Sequence, residues 1–324
     1  MIRWLLRRLA QALLVVFVMS LIVFLAVNVI GNPLDILVPP SASTAEIERA
    51  IAMLGLDQPL WYQYVVFVTG ALQGEFGRSF IYNMPALTLI LQHMPATLEL
   101  ATCALLIALV VGVPLGIFAG LRPDSPFAQA IMVGSILGFS VPTFWAGLML
   151  IMVFGVQLGW LPTSGRGDTV AVFGIEWSFL TLDGLRHLFL PALNLSLFQI
   201  ALVLRLTAAG VRETMPLDFI RFARAKGLSS TRIVGVHVLK NIMIPLITVI
   251  GMEFGSTIAF AVVTETVFSW PGMGKLIIDS INALDRPMIV AYLMLIVLLF
   301  TLINLVVDVM YVVLDPRVRL ERGR

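Results

Sequence analysis

Charge is scarce in this chain. Of its 324 residues only 12% are Asp, Glu, Lys or Arg, 59% are hydrophobic, and the mean hydropathy is +0.99. A soluble domain averages roughly 25% charged residues, so the polar atoms needed to cover a water-facing globule are missing. That excludes a soluble protein and leaves a membrane protein. Cysteine is nearly absent: Cys103 stands alone in an apolar run, which rules out a disulfide framework and a cysteine metal site. No GxxxxGK[ST] run occurs, so the chain cannot cradle ATP phosphates in the usual way. GxSxG and HExxH are missing too, and His93, His187 and His237 are widely spaced. A hydrolase or metalloenzyme reading has no anchor, and no cofactor or metal is expected.

What is present is a series of long apolar runs. About 20 such residues make a spanning helix, and six runs qualify: 10–30, 96–121, 129–158, 188–206, 242–268 and 287–314. The start, MIRWLLRR, resembles the basic part of a secretion signal. The apolar run after it is too long for one and no small-residue cleavage site follows, so an uncleaved anchor is expected. Basic residues set the direction. With the N-terminus in the cytoplasm, Arg3, Arg7, Arg8, Arg122, the central segment and the tail place 15 of the 21 Lys and Arg inside. The expected architecture is therefore all-α and integral to the membrane, a single transmembrane domain over 1–324. It has six transmembrane helices, cytoplasmic N- and C-termini, an external loop over 31–94 and a cytoplasmic loop over about 212–240.

Small residues recur every fourth position at Ala104, Ala108, Gly112, Gly116 and Gly120, and again at Gly251, Gly255 and Ala259. Such a stripe lets a neighbouring backbone approach closely, either for fixed packing or as a sliding surface. Pro114 and Pro142 fall inside spans, where a kink is expected. In the external loop, 44–54 has helical composition, Gly55 reads as a stop and Pro59 as a start. In SWPGMGK, Pro271-Gly272 suits the centre of a type II turn. A short amphipathic helix with Leu276, Ile277, Ile281 and Leu284 on its apolar side is expected after it.

The largest polar interruption is DFIRFARAKGLSSTRIVGVHVLK, from Asp218 to Lys240. Pro216 suits the start of a helix and Gly227 its end, with Phe219, Phe222 and Ala223 on one face and Arg221, Arg224 and Ala225 toward another. Ser229 or Ser230 suits the cap of the next helix. A short helix lying along the membrane fits two roles: contact with anionic lipid, or transmission of force from a soluble partner.

In that segment ARAKG, followed nine residues later by His237 and then by Pro245, resembles the cytoplasmic loop of ATP-binding-cassette importer permeases. In general form that loop reads Glu-Ala-Ala, three residues, Gly. The version ending in ARAKGL is similar to that of the dipeptide/oligopeptide permease family. The likeness runs through LGLDQPLWYQY, GEFGRS, ATLEL, LGWLPTSG, TETVFSWPGMGKL and NLVVDVMYVVLDPRVR in the family's order. Arg221 stands where the general motif has Glu, Phe222 where a small residue is usual, and Asn32 where the family often has Asp.

The resemblance implies a permease subunit of an ATP-driven peptide importer in the bacterial cytoplasmic (inner) membrane. Its partners would be two separate ATPases, a second and different permease, an extracytoplasmic solute-binding protein and the lipid bilayer, with no nucleic acid. Asp218, Arg221, Phe222, Ala223, Arg224, Ala225, Lys226, Gly227 and His237 would form the ATPase-coupling loop. Among ionisable residues in or near spans (Glu99, Arg205, Glu253, Glu265 and Asp308), Glu99 and Glu265 are the candidates for the translocation path. Interfacial or interhelical hydrogen bonding is their alternative. Without the resemblance, two other readings fit: a stand-alone secondary transporter, or an anchor or scaffold with a lipid-binding basic loop.

Overall fold

The computed structural model describes residues 2–29, 44–54 and 57–314. Asn32, Gly55 and the tail arginines Arg317, Arg319, Arg322 and Arg324 lie outside them. The helices are α1 (Ile2–Val29), α2 (Thr44–Leu54), α3 (Leu60–Leu72), α4 (Ala86–Leu121), α5 (Pro126–Ser140), α6 (Thr143–Leu150), α7 (Leu182–Thr214), α8 (Asp218–Ala225), α9 (Ser230–Arg232), α10 (Leu239–Val267), α11 (Met273–Asn282) and α12 (Arg286–Leu314). A two-stranded antiparallel hairpin, β1 (Val170–Val172) and β2 (Ile175–Trp177), precedes α7. Phe173 and Gly174 turn it with φ of 54° and 77°, as a two-residue hairpin turn requires.

Five described helices are long and apolar enough to cross a membrane, and six if one broken pair counts as a single span. The third expected span is that pair. It runs from Pro126 to Ser140 and from Thr143 to Gln157, and turns by 106° between them. The last part, Ile151–Gln157, is π-helical. Pro142 has no N–H to give and disfavours the helical region for the residue before it. Val141 accordingly adopts φ −78° and ψ 127°, so the chain breaks where a kink was expected. Pro95 and Pro114 sit inside α4 without interrupting it.

The chain forms two compact units. Of the described residues, those up to 94 and 275–302 make the first; 95–274 and 303–314 make the second. In the first, α1 meets α3 through Phe17, Phe24, Tyr64 and Phe67, and the Ser20 and Tyr64 hydroxyls are 2.8 Å apart. Buried Asp285 accepts a hydrogen bond from Ser79, whose oxygen takes the N–H of Tyr82 at 3.0 Å. Leu276 and Ile277 of α11 are buried, whereas Ile281 and Leu284 are exposed. The apolar side of α11 is thus narrower than the sequence suggested, because Ser280 and Asp285 take the interior positions beyond Ile277.

In the second unit the small-residue stripe of α4 lies against α7. A Cβ on Gly112 would meet Val203, one on Gly116 Leu204 and Thr207, and one on Gly120 Val211. Two hydrogen-bonded pairs tie α7 to α10, Asn194 with Thr264 and Gln199 with Thr257. Such pairs hold helices together where lipid removes the hydrophobic drive. A Cβ at Gly116 would stand 2.6 Å from both the Leu204 carbonyl oxygen and Thr207 Cβ, closer than atoms tolerate. Gly116→Val is expected to destabilise the fold by about 1–3 kcal/mol, measured as a lowered unfolding midpoint in detergent. Gly134→Val, at a glycine with open space around it, is the control and should stay near wild type.

Candidate functional site

The polar segment between α7 and α10 folds as the caps in its sequence dictate. Leu217, not Pro216, is the residue before α8, so the helix has eight residues and Pro216 belongs to the turn. At its end Gly227 takes φ 76°, Gly227 N donates to the Arg224 carbonyl at 2.9 Å and Leu228 N to the Ala223 carbonyl at 3.2 Å. This pair of bonds closes a helix through a left-handed residue, a role in which glycine carries no Cβ penalty. Ser229 Oγ then caps α9, accepting from Arg232 N at 3.4 Å.

The buried side of α8 is Ile220 and Ala223, three residues apart, packed with Val211, Ile233, Val238 and Ile242. Phe219 and Phe222, which the sequence grouped with Ala223, point outward at 43% and 63% exposure. The cluster closes around one isoleucine and one alanine, so the phenyl rings fall on the solvent side. Asp218, Arg221, Arg224, Ala225, Lys226 and Gly227 are exposed as well. Lys226 lies 4.6 Å from the centre of the Phe222 ring. Arg221 and Asp218 pair at 3.6 Å with both side chains largely exposed, an arrangement that contributes little to stability. His237 is half-buried in a π-helical stretch, Ile233–Val238, that joins this cluster to α10. The eight-residue helix therefore offers two aromatic rings among three charged side chains, with Lys226 just beyond its end, on a base fixed by apolar packing.

Glu99 and Glu265 come together elsewhere, around the Ala96–Glu99 turn of α4 in the second unit. Arg166 Nη2 donates to Glu99 Oε2 at 2.7 Å, and Ser178 N and Phe179 N donate to Oε1 at 2.8 and 2.7 Å. Two residues earlier, Thr97 Oγ1 donates to Glu265 Oε1 at 2.6 Å and accepts from Met273 N at 2.8 Å. Trp270 Nε1 reaches the Ala96 carbonyl at 2.9 Å, and the Arg166 guanidinium lies 5.7 Å from the centre of the Trp270 ring. One turn of α4 thus fastens two segments, 165–179 and 265–273. Gly165 N, donating to the Phe268 carbonyl at 2.9 Å, joins them to each other. Both carboxylates are buried and accept from protein donors, Glu265 from Thr97 of α4 and Glu99 from the 165–179 segment.

The turn at Pro271 differs from the expected type II. Gly272 does not take positive φ, and its N–H donates to the Trp270 carbonyl at 2.8 Å, closing a three-residue turn. Met273 N, which a type II turn would have used, goes to Thr97 instead. Arg166, Thr97 and Trp270 were not singled out from the sequence. Arg166 follows LGWLPTSG directly, and a basic residue there was the available signal.

A family profile described as "Binding-protein-dependent transport system inner membrane component" matches residues 112–320, and the corresponding N-terminal profile matches residues 1–101. The chain is 38% identical over 336 aligned positions to the di/tripeptide transport system permease protein DppB of Pseudomonas aeruginosa (strain UCBPP-PA14), covering 99% of this chain and 100% of that one. It is 35% identical to the dipeptide transport system permease protein DppB of Escherichia coli (strain K12), covering 98% and 99%. With the glutathione transport system permease protein GsiC of the same strain it shares 36% identity, again over 98% and 99%. Among solved structures, the MetNI methionine ABC transporter in inward-facing conformations superposes with a TM-score of 0.56 at 17% identity. That match covers 71% of this chain and 98% of that one, a likeness of fold alone. Two profiles that between them match residues 1–101 and 112–320, and relatives aligned over 98–99% of the chain, leave one assignment: the chain belongs to the binding-protein-dependent transport system inner membrane components, the multi-pass permease subunits of that transport class.

Proposed function

We propose that this chain is one of two permease subunits of an ATP-driven importer for di- and tripeptides or similar small polar solutes. The observation that carries this reading is the near-complete alignment with di/tripeptide, dipeptide and glutathione permeases. The exposed face of α8 supports it, because Phe219, Phe222, Arg221 and Arg224 crown a helix whose base is locked to α7 and α10. In this mechanism two separate ATPases bind and hydrolyse ATP, and each pair of ATPase and permease meets at a coupling helix. For this chain that helix is α8, between the fourth and fifth spans. Its termini are cytoplasmic, as the 15 to 6 distribution of basic residues supports. The 165–179 and 265–273 segments then face the extracytoplasmic side, where a solute-binding protein delivers its load. The chain itself carries no catalysis and needs no cofactor of its own.

Reconstitution tests this directly. With its second permease, ATPases and binding protein in liposomes, the chain should support peptide uptake that depends on ATP and on the binding protein. Phe222→Asp, which changes only the exposed side of α8, is expected to abolish co-purification of the ATPases. Uptake by this chain alone, driven by a proton gradient, would overturn the importer reading in favour of a secondary transporter.

A further inference from the structure

The third span breaks at membrane depth. α5 has 15 residues and starts four positions after Arg122, which the distribution of basic residues puts on the cytoplasmic side. It therefore rises at most about 22 Å, into a hydrocarbon layer about 30 Å thick. At its end the backbone bonding is incomplete. Val141 N reaches the Leu137 carbonyl and Ala146 N the Pro142 carbonyl. Between these two bonds, among the described residues, the carbonyls of 138–141 receive no backbone N–H. The N–H groups of Thr143, Phe144 and Trp145 find no backbone carbonyl, and Pro142 offers them no capping side chain.

This chain leaves the break uncovered. Ser140, Pro142, Thr143, Phe144 and Trp145 are all exposed. Beside them lies a cavity of about 280 Å³, walled by Phe139, Ser140 and Thr143 from the broken span and by Leu197 and Phe198 from α7. At roughly 30 Å³ per water it has room for about nine. Non-helical backbone does not face lipid; at this depth it persists only where protein buries it or where it lines a water-filled space.

We infer that the break faces the passage through which the solute crosses. Ser140 and Thr143 line that passage, and the unpaired backbone groups exchange hydrogen bonds with its water and with the peptide. The inference rests on the peptide-import reading above. The lining is neutral here: no ionisable side chain belongs to the cavity wall, and the Arg205 guanidinium comes only to 6.0 Å from the centre of the Phe139 ring. Hydroxyls and backbone groups bond to the backbone that every small peptide shares. They give no preference to the charge of its side chains.

A charge placed in the lining tests this. Uptake of alanyl-glutamate and of alanyl-lysine is measured as kcat/KM with the complete reconstituted transporter. Each variant's ratio is divided by the wild-type ratio, so that selection by the binding protein and the field of Arg205 cancel. Thr143→Asp should lower the glutamate-to-lysine ratio about fivefold and Thr143→Lys should raise it as much, the effect of one charge on two opposite ones at about 8 Å in a nearly aqueous dielectric. Damage to the fold slows both peptides and cannot give shifts of opposite sign. Ratios that stay at the wild-type value, or move the same way in both variants, overturn the inference. Failure of the wild-type complex to take up either peptide defeats the peptide reading instead. If the charged variants do not assemble, Ser140→Cys in a Cys103→Ser background decides the matter. It should react with a charged, lipid-insoluble thiol reagent in the assembled transporter, and alanyl-alanine should slow that reaction. No reaction, which would set the second permease against the break, overturns the inference, and so does a rate that solute leaves unchanged.

Discussion

Glu99→Ala should destabilise the protein by about 3–5 kcal/mol, the usual cost of removing one partner from a buried ion pair. The expected readout is a large drop in the detergent unfolding midpoint, with poor accumulation in the membrane. The Glu99 side chain is fully buried and that of Arg166 is 12% exposed, so the guanidinium is left largely out of water when its carboxylate is gone. It keeps the Glu176 carbonyl at 2.7 Å and the face of Trp270, neither of which neutralises it. The N–H groups of Ser178 and Phe179 lose their acceptor at the same time. Glu99→Gln should cost less, because its amide oxygen still accepts from those N–H groups. Asp218→Ala removes a carboxylate from an ion pair as well, but an exposed one, and should change stability by less than about 1 kcal/mol. Equal effects of Glu99→Ala and Asp218→Ala would refute the account of the α4 cluster.

The second large effect is expected at Ala223, which is 5% exposed within the Ile220, Val211, Ile233, Val238 and Ile242 cluster. Ala223→Asp would place a carboxylate there with no cation in the cluster. Burying an unpaired charge costs several kcal/mol at least, whereas the buried Ile220 side chain contributes about 1.5–3 kcal/mol. The balance favours release of α8 over burial of the charge. ATPase co-purification should be lost and the 217–228 stretch should become sensitive to protease, while the spans remain inserted. Retained ATPases with a protected α8 would refute the docking assignment.

The long apolar helices were legible because twenty consecutive apolar residues have few alternatives, and α8 was legible through Gly227 and the motif around it. What the sequence misplaced depends on three-dimensional company. Phe222 looks like a partner of Ala223 by spacing, yet the buried face runs through Ile220 and Ala223 and leaves Phe222 exposed. Pro142 and Pro114 are alike in sequence; the ψ of Val141, extended rather than helical, separates a break from an uninterrupted helix. Glu99 and Glu265 stand 166 positions apart, and the basic residue after LGWLPTSG does not by itself say that Arg166, with Thr97 and Trp270, joins them. The type II turn failed for a related reason, since the Met273 N–H it needed is used by Thr97.

Trp270 carries a consequence of its own. Trp61, Trp145 and Trp160 are largely exposed, whereas Trp270 is fully buried with a guanidinium against its ring and its indole N–H tied to a carbonyl. Its emission should resist aqueous quenchers such as iodide as long as the 165–179 and 265–273 segments remain fastened to α4. In a background where the other indoles are replaced by phenylalanine, the molecule then carries an intrinsic optical gauge of whether those two segments have parted.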